Sequence, residues 1–230
     1  MSLRDHKTPT IQAVITDWCG TVESNVQHRL TIIKDACLAS GLPEPSQVDC
    51  QAISGMTAVE ALAFLQQPDW TPAQCQALAN RLSHSMTTNS RTLILEQKTI
   101  SWLASRNISL SLFTNSTRPI IDRNLAKYQL QDCFRYIATS DVYPAKPRPD
   151  MLIAIQKMLQ LPAESCLVIG DHVNDCLAAN QAGMPCVITL TGVLKETDFR
   201  EILPQPLKYC IDINELPGVI QNIQDQSMLR

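Results

Sequence analysis

The 230-residue chain has no apolar run approaching the ~20 residues that a membrane span requires. Its opening stretch, MSLRDHKTPT, lacks the apolar segment of a secretory signal. No internal repeat and no low-complexity tract is visible. No C-x-x-C pair occurs among the nine cysteines, which are Cys19, Cys37, Cys50, Cys75, Cys133, Cys166, Cys176, Cys186 and Cys210. An odd number spread over the whole length argues against a disulfide framework or a structural zinc site, and for a reducing, cytoplasmic compartment. Charged residues make up only 18%, too few for a disordered chain, while 45% apolar residues suffice for a full core. The formal charge, 19 − 22 = −3, argues against broad binding to nucleic acid or anionic membranes and leaves a local basic pocket open.

What is present has a clear rhythm. Ile11-Gln-Ala-Val-Ile-Thr16 is short, apolar and β-branched, the pattern of a buried strand. A helical stretch follows from Gln27, with Leu30, Ile33, Cys37 and Leu38 at helical spacing and Gly41 and Pro43 at its end. Thr57-Ala-Val-Glu60 reads as a capping box before a second helix that Pro68 closes, and Thr71-Pro72 with Gln74 opens a third. Residues ~24–90 thus form an all-helical unit. Beyond it, helices at about Leu93–Arg106, Arg118–Tyr128, Asp150–Leu159 and Asn174–Ala182 alternate with strands at 108–113, near 136–138, at 166–169, at 186–189 and near 209–211, and a helix around Val219 closes the chain. Such alternation predicts a parallel sheet with helices on both faces, interrupted after its first strand by the helical unit.

Ligands of open α/β sheets bind at the carboxyl ends of the strands. The first strand ends in Asp17-Trp-Cys-Gly-Thr21, and the strand at 108–113 ends in Thr114-Asn115-Ser116. Lys146-Pro-Arg-Pro-Asp150 follows the strand near 138, and Gly170-Asp171-His-Val-Asn-Asp175 follows the strand at 166–169. These residues make a kit for phosphoryl chemistry. A carboxylate attacks phosphorus, carboxylates supply hard oxygens to Mg2+, and a lysine and a hydroxyl hold the phosphoryl oxygens.

In order and context, these four stretches resemble the motifs of the haloacid dehalogenase (HAD) superfamily: D-x-x-G-T, a Ser/Thr after a core strand, a lysine before a proline, and G-D-x-x-x-D. The resemblance covers essentially the whole chain. It implies a Rossmann-like α/β core, residues 1–23 and 91–230, with a helical cap at 24–90. It implies Asp17 as nucleophile and Mg2+ ligand, Cys19 as a ligand through its main-chain carbonyl, and Asp171 and Asp175 as the remaining metal ligands. Thr114 and Lys146 would bind the phosphoryl group, with Lys146 also orienting Asp17. In the family the cap loop touches the substrate, which here points to Gly55 and Met56. Asn115 fits equally a turn former and a further phosphate or metal contact. Trp18 fits equally a packing residue and a gate at the site.

One position departs from the family's phosphatases. Their second aspartate, two residues after the nucleophile, protonates the leaving group; here it is Cys19, and a thiol is a poor substitute for a carboxylic acid. Cys19 therefore reads as an inert replacement, a weak acid/base or a redox-sensitive thiol. His172 reads either as a substitute acid/base or as a plain helix-start residue. The stretch Asp17-Trp18-Cys19-Gly20-Thr21 resembles the D-W-A-G-T of phosphonoacetaldehyde hydrolases, as does Ala138–Pro149. That branch uses a cap lysine as a Schiff base, and the matching position here is Ala58; no lysine lies between Lys34 and Lys98. The expectation is a Mg2+-dependent hydrolase acting through Asp17 on a small phosphorylated or phosphonate-like metabolite, as a monomer or homodimer without nucleic-acid or membrane partners. C–P bond cleavage and a catalytically degenerate ligand binder are the alternatives.

Overall fold

The computed structural model describes residues 10–228 apart from 25, 54, 55, 57, 89–91, 193 and 203. The first strand, β1 (Ala13–Thr16), is followed by a two-residue strand, β2 (Glu23–Ser24), and by helices α1 (Val26–Ala39), α2 (Gln47–Ile53), α3 (Ala58–Leu65) and α4 (Pro72–Thr88). A second short strand, β3 (Thr92–Leu93), leads into α5 (Gln97–Ser105), β4 (Ser109–Thr114), α6 (Arg118–Tyr128), β5 (Ile137–Thr139) and α7 (Asp150–Leu159). The chain ends with β6 (Cys166–Gly170), α8 (Val173–Ala182), β7 (Cys186–Thr189), β8 (Lys208–Cys210) and α9 (Leu216–Met228).

The main sheet is six-stranded and parallel, in the order β5-β4-β1-β6-β7-β8. Strands β1, β6 and β7 are buried on both faces, which explains their largely apolar character. Along β1, Val14 enters one apolar cluster while Ala13 and Ile15 enter the other, the two-residue period of a strand. The Val14 face packs against Leu103 of α5, Ile121 and Leu125 of α6, and Val219 and Ile220 of α9. The opposite face packs against Met151, Leu152 and Ile155 of α7 and Cys176 and Ala179 of α8. Strand order reverses at β1, whose neighbours are β4 and β6, so the crevice at its carboxyl end is the natural ligand site.

Helices α1–α4 enclose a separate apolar cluster that includes Ile33, Cys37, Cys50, Leu65, Leu78 and Leu82. The expected start of α4 is present: Thr71 N donates to Gln74 Oε1 at 2.9 Å and Gln74 N to Thr71 Oγ1 at 3.3 Å. The expected box at 57–60 falls partly on Thr57, outside the described residues. Helix α2 was not expected. Its own box, Ser46 N to Asp49 Oδ2 at 3.2 Å and Asp49 N to Ser46 Oγ at 3.1 Å, accounts for it. The helix expected from Leu93 instead begins at Gln97, because Thr92 and Leu93 pair antiparallel with Ser24 and Glu23. Ile94 N continues that pairing to Val22 O at 2.8 Å.

The β2–β3 ribbon thus carries the chain out to the helical unit and back. Its Glu23 is only 2% exposed. The Glu23 carboxylate accepts from Trp18 Nε1 at 2.8 Å through one oxygen and from Tyr128 Oη at 2.8 Å through the other. The indole of Trp18 is fully buried between Tyr128 and Phe134, 6.4 Å from each ring. Burying a carboxylate is tolerable only with such donors. Tyr128→Phe is expected to lower unfolding free energy by about 1–3 kcal/mol in urea denaturation; an unchanged midpoint would show that this contact contributes nothing.

Candidate active site

Four loops at the carboxyl ends of β1, β4, β5 and β6 meet at one sheet edge. Asp17 directly follows β1, and its N–H donates to Ile169 O at 2.9 Å, prolonging the ladder with β6. Asp171 and Asp175 flank the start of α8. Lys146 reaches in from the loop after β5. Its Nζ donates to Asp17 Oδ1 at 2.5 Å and to Asp175 Oδ1 at 2.6 Å, with all three side chains less than a tenth exposed. Carboxylate oxygens of Asp17, Asp171 and Asp175 lie within 4.8 Å of one another. At neutral pH three carboxylates and one ammonium leave a formal −3 + 1 = −2 in a buried space.

The main chain closes tightly on this cluster. Gly20 has φ +89°, a conformation natural to glycine, in a turn where Trp18 O accepts from Val22 N and Glu23 N at 3.0 Å. A Cβ on Gly20 would stand 2.2 Å from Asp171 Oδ2, and one on Gly192 would stand 2.0 Å from the same oxygen. The Asp171 carboxylate is therefore held between two glycine backbones. A Cβ on Gly170 would meet Asp175 Oδ2 at 2.3 Å. Hydroxyls brace the loops: Thr21 Oγ1 donates to Asp171 Oδ1 at 3.4 Å, and Thr191 Oγ1 donates to Gly20 O.

Asp175 has two tasks. Its Oδ1 meets Lys146, while its Oδ2 accepts from Asp171 N at 3.2 Å and His172 N at 3.0 Å. His172 is the N-cap of α8, its Nδ1 accepting from Asn174 N at 3.1 Å. That bond makes His172 the helix-start residue of the two readings above.

Burial pushes the Asp17 carboxyl up to about 6; Lys146 pulls it down and Asp175 adds to the rise. For Lys146, burial alone would lower the ammonium, but Asp17 and Asp175 outweigh it and hold the group above its usual range. The donor set fits a hard divalent cation: three close carboxylates, an excess of two negative charges, and main chain pressed against them.

Of the residues picked out by sequence, Asp17, Lys146, Asp171 and Asp175 come together. Thr114 ends β4 almost fully buried, its Oγ1 accepting from Ser116 N at 3.2 Å. Cys19 is half-buried beside the cluster, its Sγ 4.0 Å from Ser116 Oγ. Asn115 binds the main chain of Lys146: Oδ1 accepts from Lys146 N at 2.8 Å and Nδ2 donates to Lys146 O at 3.4 Å. Trp18 offers no surface to a ligand, since Glu23 and two aromatic rings enclose it in the core. Met56 packs against the core of the helical unit, and Gly55 lies outside the described residues. Sequence reasoning missed Gly192 and Thr191. They follow β7 at the same sheet edge, in Thr189-Leu-Thr-Gly192, and their position after a strand was the available signal.

Comparison with known proteins agrees with this geometry. The family model of haloacid dehalogenase-like hydrolases matches residues 14–189. A phosphoglycolate phosphatase of Photorhabdus laumondii is 29% identical over 185 residues, 77% of this chain and 79% of that protein. One from Pseudomonas fluorescens is 34% identical over 97 residues, 42% of this chain and 36% of that protein. Among solved structures, a phosphonoacetaldehyde hydrolase-like protein from Oleispira antarctica superposes with a TM-score of 0.78 at 14% identity, covering 99% of this chain and 97% of that one. At that identity the likeness is one of fold.

Two outcomes follow from the cluster. Gly192→Ala must displace Asp171, so Mg2+ affinity measured by calorimetry is expected to fall about 10–100-fold; wild-type affinity would mean that Asp171 does not bind the ion. In the metal-free protein Asp17 keeps its proton below about pH 6. A cation has to displace that proton, so Mg2+ affinity should weaken below about pH 6, by up to about tenfold per unit. Affinity independent of pH between about 5 and 7.5 would contradict this.

Proposed function

Because the chain belongs to the haloacid dehalogenase-like hydrolase family, we propose that it is a Mg2+-dependent phosphohydrolase with Asp17 as nucleophile, acting on a small phosphorylated metabolite. The observation that carries this reading is Lys146 bridging Asp17 and Asp175 within hydrogen-bond distance of both, with Asp171 in the same cluster. The phosphoglycolate phosphatases among its relatives support P–O cleavage of a small phosphorylated substrate.

An Asp17 oxygen attacks phosphorus and the bond to the leaving oxygen breaks, giving an acyl phosphate on Asp17 and a departing oxyanion that takes its proton from water. Water then attacks the same phosphorus, the Asp17–phosphorus linkage breaks, and inorganic phosphate leaves. Lys146 keeps Asp17 ionised and aimed, and with the Thr114 hydroxyl holds the phosphoryl oxygens. Asp17, Asp171, Asp175 and the Cys19 carbonyl would hold Mg2+, which supplies positive charge to the phosphoryl oxygens. The helical unit, residues 24–90, acts as a cap that closes over the core of residues 1–23 and 91–230 and excludes water. A reducing cytoplasmic setting is proposed from the number and spacing of the cysteines; no helix among the described residues is long and apolar enough to cross a membrane.

Cys19 shapes the substrate range. No carboxylic acid stands where the leaving group is protonated in the family's phosphatases, so aryl and acyl phosphates are better substrates than alkyl monoesters. A second reading, C–P cleavage of a phosphonoaldehyde, draws on the Asp17–Thr21 motif. It lacks a cap lysine, with Ala58 in that place. Borohydride with substrate should therefore trap no adduct on a cap lysine.

Asp17→Asn is expected to abolish hydrolysis of p-nitrophenyl phosphate. Residual wild-type turnover would refute Asp17 as nucleophile, and phosphate and Mg2+ binding without turnover in the wild type would favour a binding protein. Cys19→Asp is expected to raise kcat toward alkyl phosphate monoesters, by up to about 10²–10⁴-fold; no rise would contradict the role assigned to this position.

A further inference from the structure

We infer that Asn115 is a positioning residue for Lys146, gripping the lysine's own peptide so that the ammonium stands between Asp17 and Asp175. The inference rests on the phosphohydrolase reading for its kinetic consequence, but its geometry stands alone.

Lysine carries four rotatable side-chain bonds on a main chain that here belongs to a loop, Ser140–Pro149, between β5 and α7. A side chain of that kind finds two carboxylates at 2.5 and 2.6 Å only if its Cα is fixed. The Asn115 amide supplies that fixation. It accepts from the lysine's N–H at 2.8 Å and donates to the lysine's C=O at 3.4 Å, a two-point hold on one residue. Asn115 is itself anchored to the start of the same loop. Strand pairing sets Thr114 opposite Thr139, and just beyond it Ser140 Oγ donates to Asn115 O at 2.7 Å while Ser140 N donates to Ser116 O at 3.3 Å. On the far side of Lys146, Gln181 Nε2 of α8 donates to Pro147 O at 3.1 Å. The loop bearing the lysine is thus stapled to the loop after β4 and to the helix that carries Asp175. An asparagine beside a phosphate-binding threonine would ordinarily be assigned to the substrate. Here its amide is turned to the peptide of Lys146, and its effect on catalysis passes through the ammonium.

The test compares Asn115→Asp and Asn115→Ala with wild type in the full chain, with melting curves to confirm folding. Asn115→Asp retains the acceptor for the lysine N–H, and Asn115→Ala removes both contacts. The first readout is kinetic, with p-nitrophenyl phosphate and inorganic phosphate as inhibitor. A displaced ammonium should lower kcat of Asn115→Ala by up to about 100-fold and, because Lys146 also holds the phosphoryl oxygens, raise the phosphate inhibition constant along with it. Asn115→Asp should recover most of the loss. The second readout needs no turnover: labelling of Lys146 by an amine-reactive acylating reagent, followed by mass spectrometry. Lys146 should be protected in wild type and in Asn115→Asp, and labelled in Asn115→Ala. A raised KM and phosphate constant with unchanged kcat would overturn the proposal in favour of substrate contact. Wild-type kcat and protection in a folded Asn115→Ala would overturn it outright. Wild type without turnover would sink the phosphohydrolase reading, and the labelling result would still decide the positioning role.

Discussion

The ammonium of Lys146, held between Asp17 and Asp175 in a buried crevice, is the contact on which the rest of the structure depends. Buried charges are costly unless paired and hydrogen-bonded. Each partner here comes from a different loop, so all those loops have to arrive at the same place. The pairing is also incomplete by design of charge: three carboxylates and one ammonium leave two negative charges unbalanced. Burial is the main reason that the Asp17 carboxyl is raised; Lys146 opposes the rise and Asp175 adds to it. A divalent cation would offset the excess and favour the ionised form of Asp17 further.

The fold meets these demands through its parallel sheet. With β1 between β4 and β6, the loops after all three strands open onto one crevice, and β5 and β7 add theirs alongside. Glycine backbones at positions 20 and 192 let the walls approach Asp171 more closely than any side chain would permit. The Trp18–Glu23–Tyr128 contacts tie the Asp17 loop to the ribbon that leads to the helical unit and to α6. A motion of that unit is therefore mechanically close to Asp17, with one buried carboxylate between them.

Much of this was legible in the sequence, for identifiable reasons. Apolar runs rich in β-branched residues mark strands buried on both faces, and they located β1, β6 and β7; β4 was found although it alternates serine with leucine. Acidic, hydroxyl and lysine residues directly after such runs marked the crevice, because strand ends in a parallel sheet share an edge. Other features depend on partners distant in the chain. Two-residue strands such as β2 and β3 have no periodicity to detect, so Leu93 read as part of a helix. Trp18 read equally as packing or gate; the choice was made by Tyr128, whose hydroxyl and ring lie beside it only in the fold. Asn115 pairs with a peptide 31 residues away. Helix α2 was missed although Ser46 and Asp49 have capping-box spacing, since seven residues hold too little apolar pattern to confirm it.

Under the proposed function, Cys19 would set the character of the site without altering its frame. The side chain stands near Ser116 at the crevice, while the charge cluster beside it is complete. In the proposed mechanism the groups assigned to attack, to the metal and to the phosphoryl oxygens are thus separable from the protonation of the leaving group. The central claim concerns the cluster, and calorimetric titration of Mg2+ into metal-free protein at neutral pH tests it most directly. The account predicts one ion per chain with a raised melting temperature in wild type, and loss of both in Asp171→Asn. Equal binding and stabilisation in the two proteins, or no binding in wild type, would contradict it.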